Sequence, residues 1–226
     1  KFTTTGDTEV LLYALIEWRE NTFFKLEGMF AGAFLDTHTN QAIIFRDQLG
    51  IKPLYISPYD NGILFASEAK AFLPALYKFS LNRAAVYEHM TFRYVAGERT
   101  LFNEVKRLLP GHYIKLDLDN FSYDTHQYYN LSSSLKAPRQ KTDLEYIEHL
   151  QEQSISSHTI SDVGYSIQLS GGIDSTYVTD YLSQAKNEID TYSVTLPGID
   201  TDEHSYQQQV IEKCGTLHHM SPCDGN

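Results

Sequence analysis

The chain has 226 residues, 42% of them hydrophobic, and a formal net charge of −11. It is long enough for one large domain or two small ones with a sizeable core. That charge argues against a surface for nucleic acid, a polyanion, and no apolar run approaches the length of a membrane span. Two cysteines, Cys214 and Cys223, are too few for a disulfide scaffold and point to a reducing, cytoplasmic setting.

The opening Lys1-Phe2-Thr3-Thr4-Thr5 has no initiator Met and no basic-then-apolar leader, so the sequence is expected to be a fragment starting mid-domain. Asp7 or Thr8 is placed to cap a helix whose apolar positions 10, 11, 14, 15 and 18 share one face. Residues 29–36 are apolar on both faces and read as a buried strand. Turn chemistry at 37–40 returns the chain as a partner strand over 41–47. Another short strand is expected over 50–57, then an Asn61-Gly62 hairpin signal and a return over 63–66. Such close-set strands imply an antiparallel sheet rather than βαβ units. Ser67 reads as the cap of a short helix ending near Pro74. A helix over about 84–91 follows, then an extended segment from Leu101 to Val105 and a tight turn at Pro110-Gly111. Residues 113–118 alternate as a sheet-edge strand does.

Residues 130–141 hold Ser132-Ser133-Ser134, Pro138 and three basic residues, the best linker composition in the chain. The expected division is a domain over 1–130, a linker over 131–141 and a second domain over 142–226. A helix begins at Thr142-Asp143 and runs to about Ser157, and a strand opens after Ser161-Asp162. A helix over 175–186, a strand over 189–196 and a helix over 204–215 complete a strand–helix alternation. That alternation implies an α/β domain with a parallel sheet, whose ligand site lies at the carboxyl ends of its strands.

At that position stands Leu169-Ser170-Gly171-Gly172-Ile173-Asp174-Ser175. The glycines let the main chain approach an anion, and a helix N-terminus supplies free N–H groups and a positive dipole end. Ser170 and Ser175 add hydroxyl donors, and Asp174 is suited to a magnesium ion bridging phosphate oxygens. A nucleoside triphosphate is the natural ligand, although no Lys follows the second glycine as in a GxxxxGK[ST] loop. A Gly-Gly turn with a capping side chain is the plain alternative. Cys214, His218, His219 and Cys223 could bind zinc on paper, but they lack the usual ligand spacing, and an ordinary strand and loop is the preferred reading.

Several motifs recur in one order along the chain. They include Gly6-Asp7-Thr8-Glu9-Val10-Leu11, Gly28-Met29-Phe30-Ala31 and Arg46-Asp47-Gln48-Leu49-Gly50-Ile51-Lys52-Pro53-Leu54-Tyr55. Phe65-Ala66-Ser67-Glu68-Ala69-Lys70-Ala71, Thr91-Phe92-Arg93-Tyr94-Val95, Pro110-Gly111-His112-Tyr113 and the 169–175 turn follow. In this set and order the chain resembles the glutamine-hydrolysing asparagine synthetases. The resemblance implies an α+β glutaminase of the N-terminal nucleophile fold, with sheets between helix layers, followed by the start of an ATP pyrophosphatase-type α/β domain. It implies aspartate, glutamine and ATP as substrates, magnesium as cofactor, an aspartyl adenylate that ammonia attacks, and a homodimer. By that likeness Asp7 holds the amino group of glutamine, and Leu169 and Val194 line the adenosine site. Ser170, Gly171, Gly172 and Ser175 form the pyrophosphate loop, and Asp174 is a magnesium ligand. Arg46, Asp47, Lys52, Glu68 and Lys70 match signature positions and are expected to form a buried ion-paired network.

The sequence also departs from the family. Its nucleophile is an N-terminal cysteine, and no cysteine precedes Cys214 here. Gly164-Tyr165-Ser166 stands where Pro-Val-Gly is more usual, and a second Ser-Gly-x-Gly-x-Asp-Glu segment is absent. This stretch alone is therefore expected to catalyse neither half-reaction, and the function belongs to its parent. Two alternatives keep the folds: a β-lactam- or lasso-peptide-type cyclase that uses no ammonia, and a non-catalytic nucleotide-binding homologue.

Overall fold

The computed structural model describes residues 2–59, 62–75, 78–135, 143–185, 188–195 and 203–222. The chain divides into two compact units, Lys1–Ala137 and Pro138–Asn226.

The first unit opens with helix α1 (Asp7–Trp18). Neither Asp7 nor Thr8 caps it, because the N-cap position is Gly6, with no side-chain cap bond. Glu9 instead reaches back to the preceding loop, accepting from the Thr3 and Thr4 amides at 2.9 and 2.6 Å. Leu15 is buried and Leu11 packs beside it, whereas Val10 and Trp18 stay exposed, so the apolar stripe facing the core is narrower than the spacing suggested. A 3-10 turn over Arg19–Phe24 then drives Phe23 into the core at 0% exposure.

The strands are β1 (Ala31–Asp36), β2 (Gln41–Arg46), β3 (Tyr55–Tyr59), β4 (Gly62–Ala66), β5 (Lys106–Arg107), β6 (His112–Asp117) and β7 (Tyr123–Gln127). Every pairing among them is antiparallel, as their close spacing implies, but they form two sheets, ordered β1-β2-β6-β7 and β4-β3-β5. The turn residues Asp60 and Asn61 lie outside the described residues. β6 is not an edge strand: β2 and β7 flank it, and Tyr113, Ile114 and Leu116 are all buried. Its alternation comes from the pleat, which sends neighbouring side chains into two different cores. On one face of the larger sheet, Phe34, Ile43, Phe45 and Tyr113 pack with Leu15 and Phe23. On the other, Ile44 and Ile114 pack with Leu54, Leu108 and the β3 residue Ile56. Helix α2 (Arg83–Phe92) is capped by Asn82, whose side chain accepts from the Ala85 amide. Ser67 does not cap the short 3-10 turn Ala69–Phe72, where Glu68 holds the N-cap position. A four-residue helix, α3 (Leu131–Ser134), occupies the start of the expected linker, and residues 136–142 lie outside the described residues.

The signature charges do not form a buried ion-paired network. Arg46 donates to the main-chain carbonyls of Lys52, Gly50 and Leu108 at 2.7, 2.6 and 2.6 Å. Asp47 accepts from the amides of Leu49, Ile51 and Lys52 at 3.1, 2.9 and 3.0 Å. The loop between β2 and β3 has no ladder to satisfy these groups, so two side chains do it. Glu68 and Lys70 pair with each other on the exposed surface.

Asp36 at the end of β1 is a second such tie. It accepts from the Thr39 hydroxyl at 2.7 Å, pairs with Arg19, and accepts from the His38 amide at 2.9 Å. These partners, Thr39 foremost, hold its carboxyl well below the usual carboxylate range. A carboxylate depressed in the folded state stabilises above its unfolded pKa of about 3.9, and that stability is lost as pH falls through the folded value. Asp36→Asn is therefore expected to lower the melting temperature at pH 7, and the gap to the native protein should close below pH ~4 in a calorimetric pH series. A gap that does not change with pH would show that charge is not what Asp36 contributes.

The second unit comprises α4 (Leu144–His158), β8 (Ile167–Gln168), α5 (Ile173–Ala185), β9 (Asp190–Thr195), α6 (His204–Cys214) and β10 (Leu217–Pro222). Asp143 caps α4, accepting from the Tyr146 amide at 2.9 Å. The strand expected from Ser161-Asp162 shrinks to β8, and residues 160–166 are irregular. The three strands form a parallel sheet ordered β10-β9-β8, as the strand–helix alternation implies. Thr191, Ser193 and Thr195 face the covered side of β9, while Tyr192 and Val194 face the exposed side. Ile167, Leu182 and Ile189 form its small apolar core, with Ile155 and Val178 against it.

Candidate functional site

The turn from β8 into α5 is held by its own hydroxyls. The Ser170 and Ser175 oxygens lie 3.0 Å apart, the Gly172 amide donates to Ser170 Oγ at 3.2 Å, and Ser175 Oγ donates to the Gly172 carbonyl at 3.1 Å. Thr179 Oγ1 donates to the Ser175 carbonyl at 2.7 Å, fixing the first turns of the helix. Gly171 has φ +86°, a left-handed conformation that side chains resist. A Cβ there would also stand 3.0 Å from Tyr206 Cβ and 3.1 Å from the Gln207 amide nitrogen of α6. Only glycine lets the turn lie this close to the neighbouring helix. Asp174, in the first turn of α5, is exposed.

Beside this turn, at the carboxyl ends of the three strands, lies a cavity of about 850 Å³. Leu169, Ser170 and Val194 line it, together with Tyr192, Gln207 and His219. Its volume falls in the usual range for small-molecule sites. Tyr192 and His219 stack with centroids 4.6 Å apart, and His219 Nε2 lies 2.8 Å from Asp190 Oδ1, so one wall is a pinned aromatic pair. Ser193, buried on the covered side of β9, donates its hydroxyl to the Leu169 carbonyl. That bond ties the end of β8 to β9 where the turn begins.

Leu169, Ser170 and Val194 thus meet at one cavity, and Gly171, Gly172, Asp174 and Ser175 belong to the turn beside it. Asp7 lies in the first unit, on a separate cavity of about 550 Å³ lined also by Glu27, Gly28, Lys52 and Ser67. Sequence reasoning did not single out Gln207 or the Tyr192–His219 pair. A glutamine in an amphipathic helix carries no motif, and the ring pair arises only from the parallel register that sets His219 beside Tyr192.

The zinc pattern does not come together among the described residues. His218 and His219 are neighbours on a strand, so they point to opposite faces. His218 Nδ1 lies 2.9 Å from Thr191 Oγ1, His219 is held by Asp190, and Cys223 lies outside the described residues. No group of three or more His, Cys, Asp or Glu side chains poised for a metal occurs among the described residues. Magnesium at the turn does not require such a group, because it is commonly held by one or two carboxylates plus substrate phosphates and water. The Asp174 carboxylate, exposed beside a turn rich in donors, fits that pattern. No helix among the described residues is long and apolar enough to cross a membrane.

Comparison with known proteins adds independent findings. The model of the glutamine amidotransferase domain matches residues 1–129, and that of asparagine synthase matches residues 146–225. Asparagine synthetase [glutamine-hydrolyzing] 1 of Bacillus subtilis is 31% identical over 85% of this chain and 30% of its own length. Asparagine synthetase [glutamine-hydrolyzing] 3 of the same organism is 28% identical over 97% of the chain and 38% of its own. The chain therefore spans about a third of the length of these relatives. Among solved structures, the B. subtilis glutamine phosphoribosylpyrophosphate amidotransferase complexed with ADP and GMP aligns over 97% of this chain and 40% of its own. Its TM-score of 0.39 and identity of 15% are too low to bear on the fold.

Proposed function

The chain belongs to the glutamine amidotransferase and asparagine synthase families, and from that premise we propose that its intact protein is a glutamine-dependent asparagine synthetase. The observation that carries this reading is the turn at 169–175, set beside a cavity of about 850 Å³ at the carboxyl ends of a parallel sheet. In this reading the first unit is a glutaminase of the N-terminal nucleophile type, and the second unit binds ATP.

The division of labour follows from the groups present. Val194, exposed on the wall, offers apolar surface to the base of ATP, and the buried Leu169 backs the same wall. The donors of the turn face the phosphates, where the helix dipole also favours negative charge. The carboxylate of aspartate attacks the α-phosphorus, the bond to the bridging oxygen breaks, and pyrophosphate leaves. Asp174 would hold a magnesium ion, which when bound would supply compensation for the charge on pyrophosphate. Ammonia then adds to the acyl carbon of the resulting aspartyl adenylate, expelling AMP and forming asparagine. In the first unit Asp7, which lines its own cavity, is assigned to the amino group of glutamine on the family resemblance.

The test is ATP–pyrophosphate exchange on the intact protein, with and without aspartate. Exchange that requires aspartate is the expected result. Asp174→Asn is expected to reduce it by about 100-fold or more, several kcal/mol of transition-state stabilisation. Exchange with a different carboxylic acid would reassign the acceptor, and no exchange with any acid would overturn the adenylation chemistry.

A further inference from the structure

Gln207 belongs to no motif, yet it is the buried polar side chain beside the turn. It is 3% exposed, it lines the cavity at the carboxyl ends, and its Nε2 donates to the Ser170 carbonyl at 3.3 Å. A carbonyl only accepts, so the atom facing Ser170 is the amide nitrogen, and the carboxamide oxygen is the other end. That oxygen is buried without a hydrogen-bond partner among the described residues. An unmet buried acceptor costs free energy, and it calls for an explanation in what the site binds.

We infer that Gln207 positions a bound nucleotide by accepting a hydrogen bond from one of its ribose hydroxyls. The inference rests on the nucleotide reading above and adds to it a residue for the sugar. The order of the groups along the wall selects the ribose. The exposed Val194, with Leu169 buried behind it, is apolar and suits the base, whereas the amides and hydroxyls from Ser170 to Ser175 suit phosphate. Gln207 meets the wall at the Ser170 carbonyl, at the boundary where the phosphate turn begins next to Leu169, the interval in which a nucleotide has its sugar. Phosphate oxygens carry no proton to give and would be repelled by a carbonyl oxygen. The ribose hydroxyls are the donors that fall in that interval. Gln207 is at the same time the residue against which Gly171 packs, with a Gly171 Cβ falling 3.3 Å from its Cγ. One side chain therefore sets the height of the turn and offers the acceptor.

Calorimetric titration of the intact protein, native and Gln207→Met, tests this with ATP, 2′-deoxy-ATP, 3′-deoxy-ATP and purine riboside triphosphate. Met keeps the length and packing of the side chain and removes the acceptor. The native protein is expected to bind one of the two deoxy analogues about 10- to 100-fold more weakly than ATP, because the missing hydroxyl leaves a buried acceptor unpaired. In Gln207→Met, ATP is expected to fall to the level of that analogue, with no further loss when the hydroxyl is removed. The purine riboside triphosphate, which lacks the exocyclic amine, is expected to keep the same ratio to ATP in both proteins. A deoxy penalty equal in both proteins, or a change that appears only with the purine riboside, overturns the inference. A uniform loss for all four ligands also overturns it, since that marks a structural role alone. If neither protein binds any of the nucleotides, the nucleotide reading itself falls. ATP binding with an unchanged deoxy ratio removes only the role of Gln207.

Discussion

Replacing Arg46 with Met is expected to destabilise the first unit by about 3–5 kcal/mol, enough to leave many domains mostly unfolded. The guanidinium donates to three carbonyls, those of Gly50, Lys52 and Leu108, at 2.6, 2.7 and 2.6 Å. Met fills similar space but leaves those oxygens without donors, that of Leu108 fully buried and those of Gly50 and Lys52 partly so. The nearby turn cannot relax to compensate. Gly50 has φ +67°, and a Cβ there would lie 2.7 Å from Pro110 Cγ, so the loop is already pressed against its neighbours. Arg46→Lys is expected to recover little, because a single ammonium lacks the planar fork that spans several acceptors. Urea unfolding followed by the fluorescence of Trp18 measures both variants. A loss under about 1 kcal/mol for Arg46→Met would mean that the carbonyls find other donors.

Gly171→Ala is expected to weaken ATP binding by about 100-fold while costing the fold no more than ~2 kcal/mol. The left-handed backbone and the contacts at 3.0 and 3.1 Å with α6 cannot both be kept once a Cβ is present. Tyr206 Cβ and the Gln207 amide nitrogen belong to a rigid helix, so the turn is the part that moves. Its amides then swing off the phosphates and Ser170 swings away from Gln207. Gly172→Ala is the control: a Cβ there meets only Ser170 Oγ, at 3.3 Å, and a hydroxyl can rotate aside. Titration with ATP should separate the two by at least tenfold. Equal losses would show that flexibility, not clearance from α6, is what the Gly-Gly pair provides.

The turn was legible because its chemistry is local: two glycines, two serines and an acid in seven residues, between a strand and a helix. The same holds for the start of α4 at Thr142-Asp143, where the Asp143 side chain meets the Tyr146 amide three residues on. What escaped depends on pairings between distant segments. Residues 113–118 alternate as an edge strand does, and only the pairings with β2 and β7 show that both of its edges are taken. The role of Arg46 was misjudged for the same reason. Charge next to charge in Arg46-Asp47 suggests an ion pair, whereas the main-chain carbonyl that Arg46 meets at Leu108 lies 62 residues away. At the candidate site, Ser170 could be named from its motif and Leu169 and Val194 from the family resemblance, but Gln207 required the packing of α6 against Gly171.

That long-range tie bears on how the chain acquires its shape during synthesis. The hairpin of β1 and β2 can close as soon as it leaves the ribosome, since its two arms are adjacent in the sequence. The layer they belong to cannot, because β2 must wait for β6 and Arg46 for a carbonyl translated 62 residues later. Until then the aromatic side of the hairpin, with Phe34 and Phe45, lacks the Tyr113 it packs beside. High contact order of this kind slows folding and lengthens the exposure of sticky surface. The nascent first unit thus keeps that surface uncovered for longer, whereas each strand of the second unit pairs with its neighbour in chain order as it emerges.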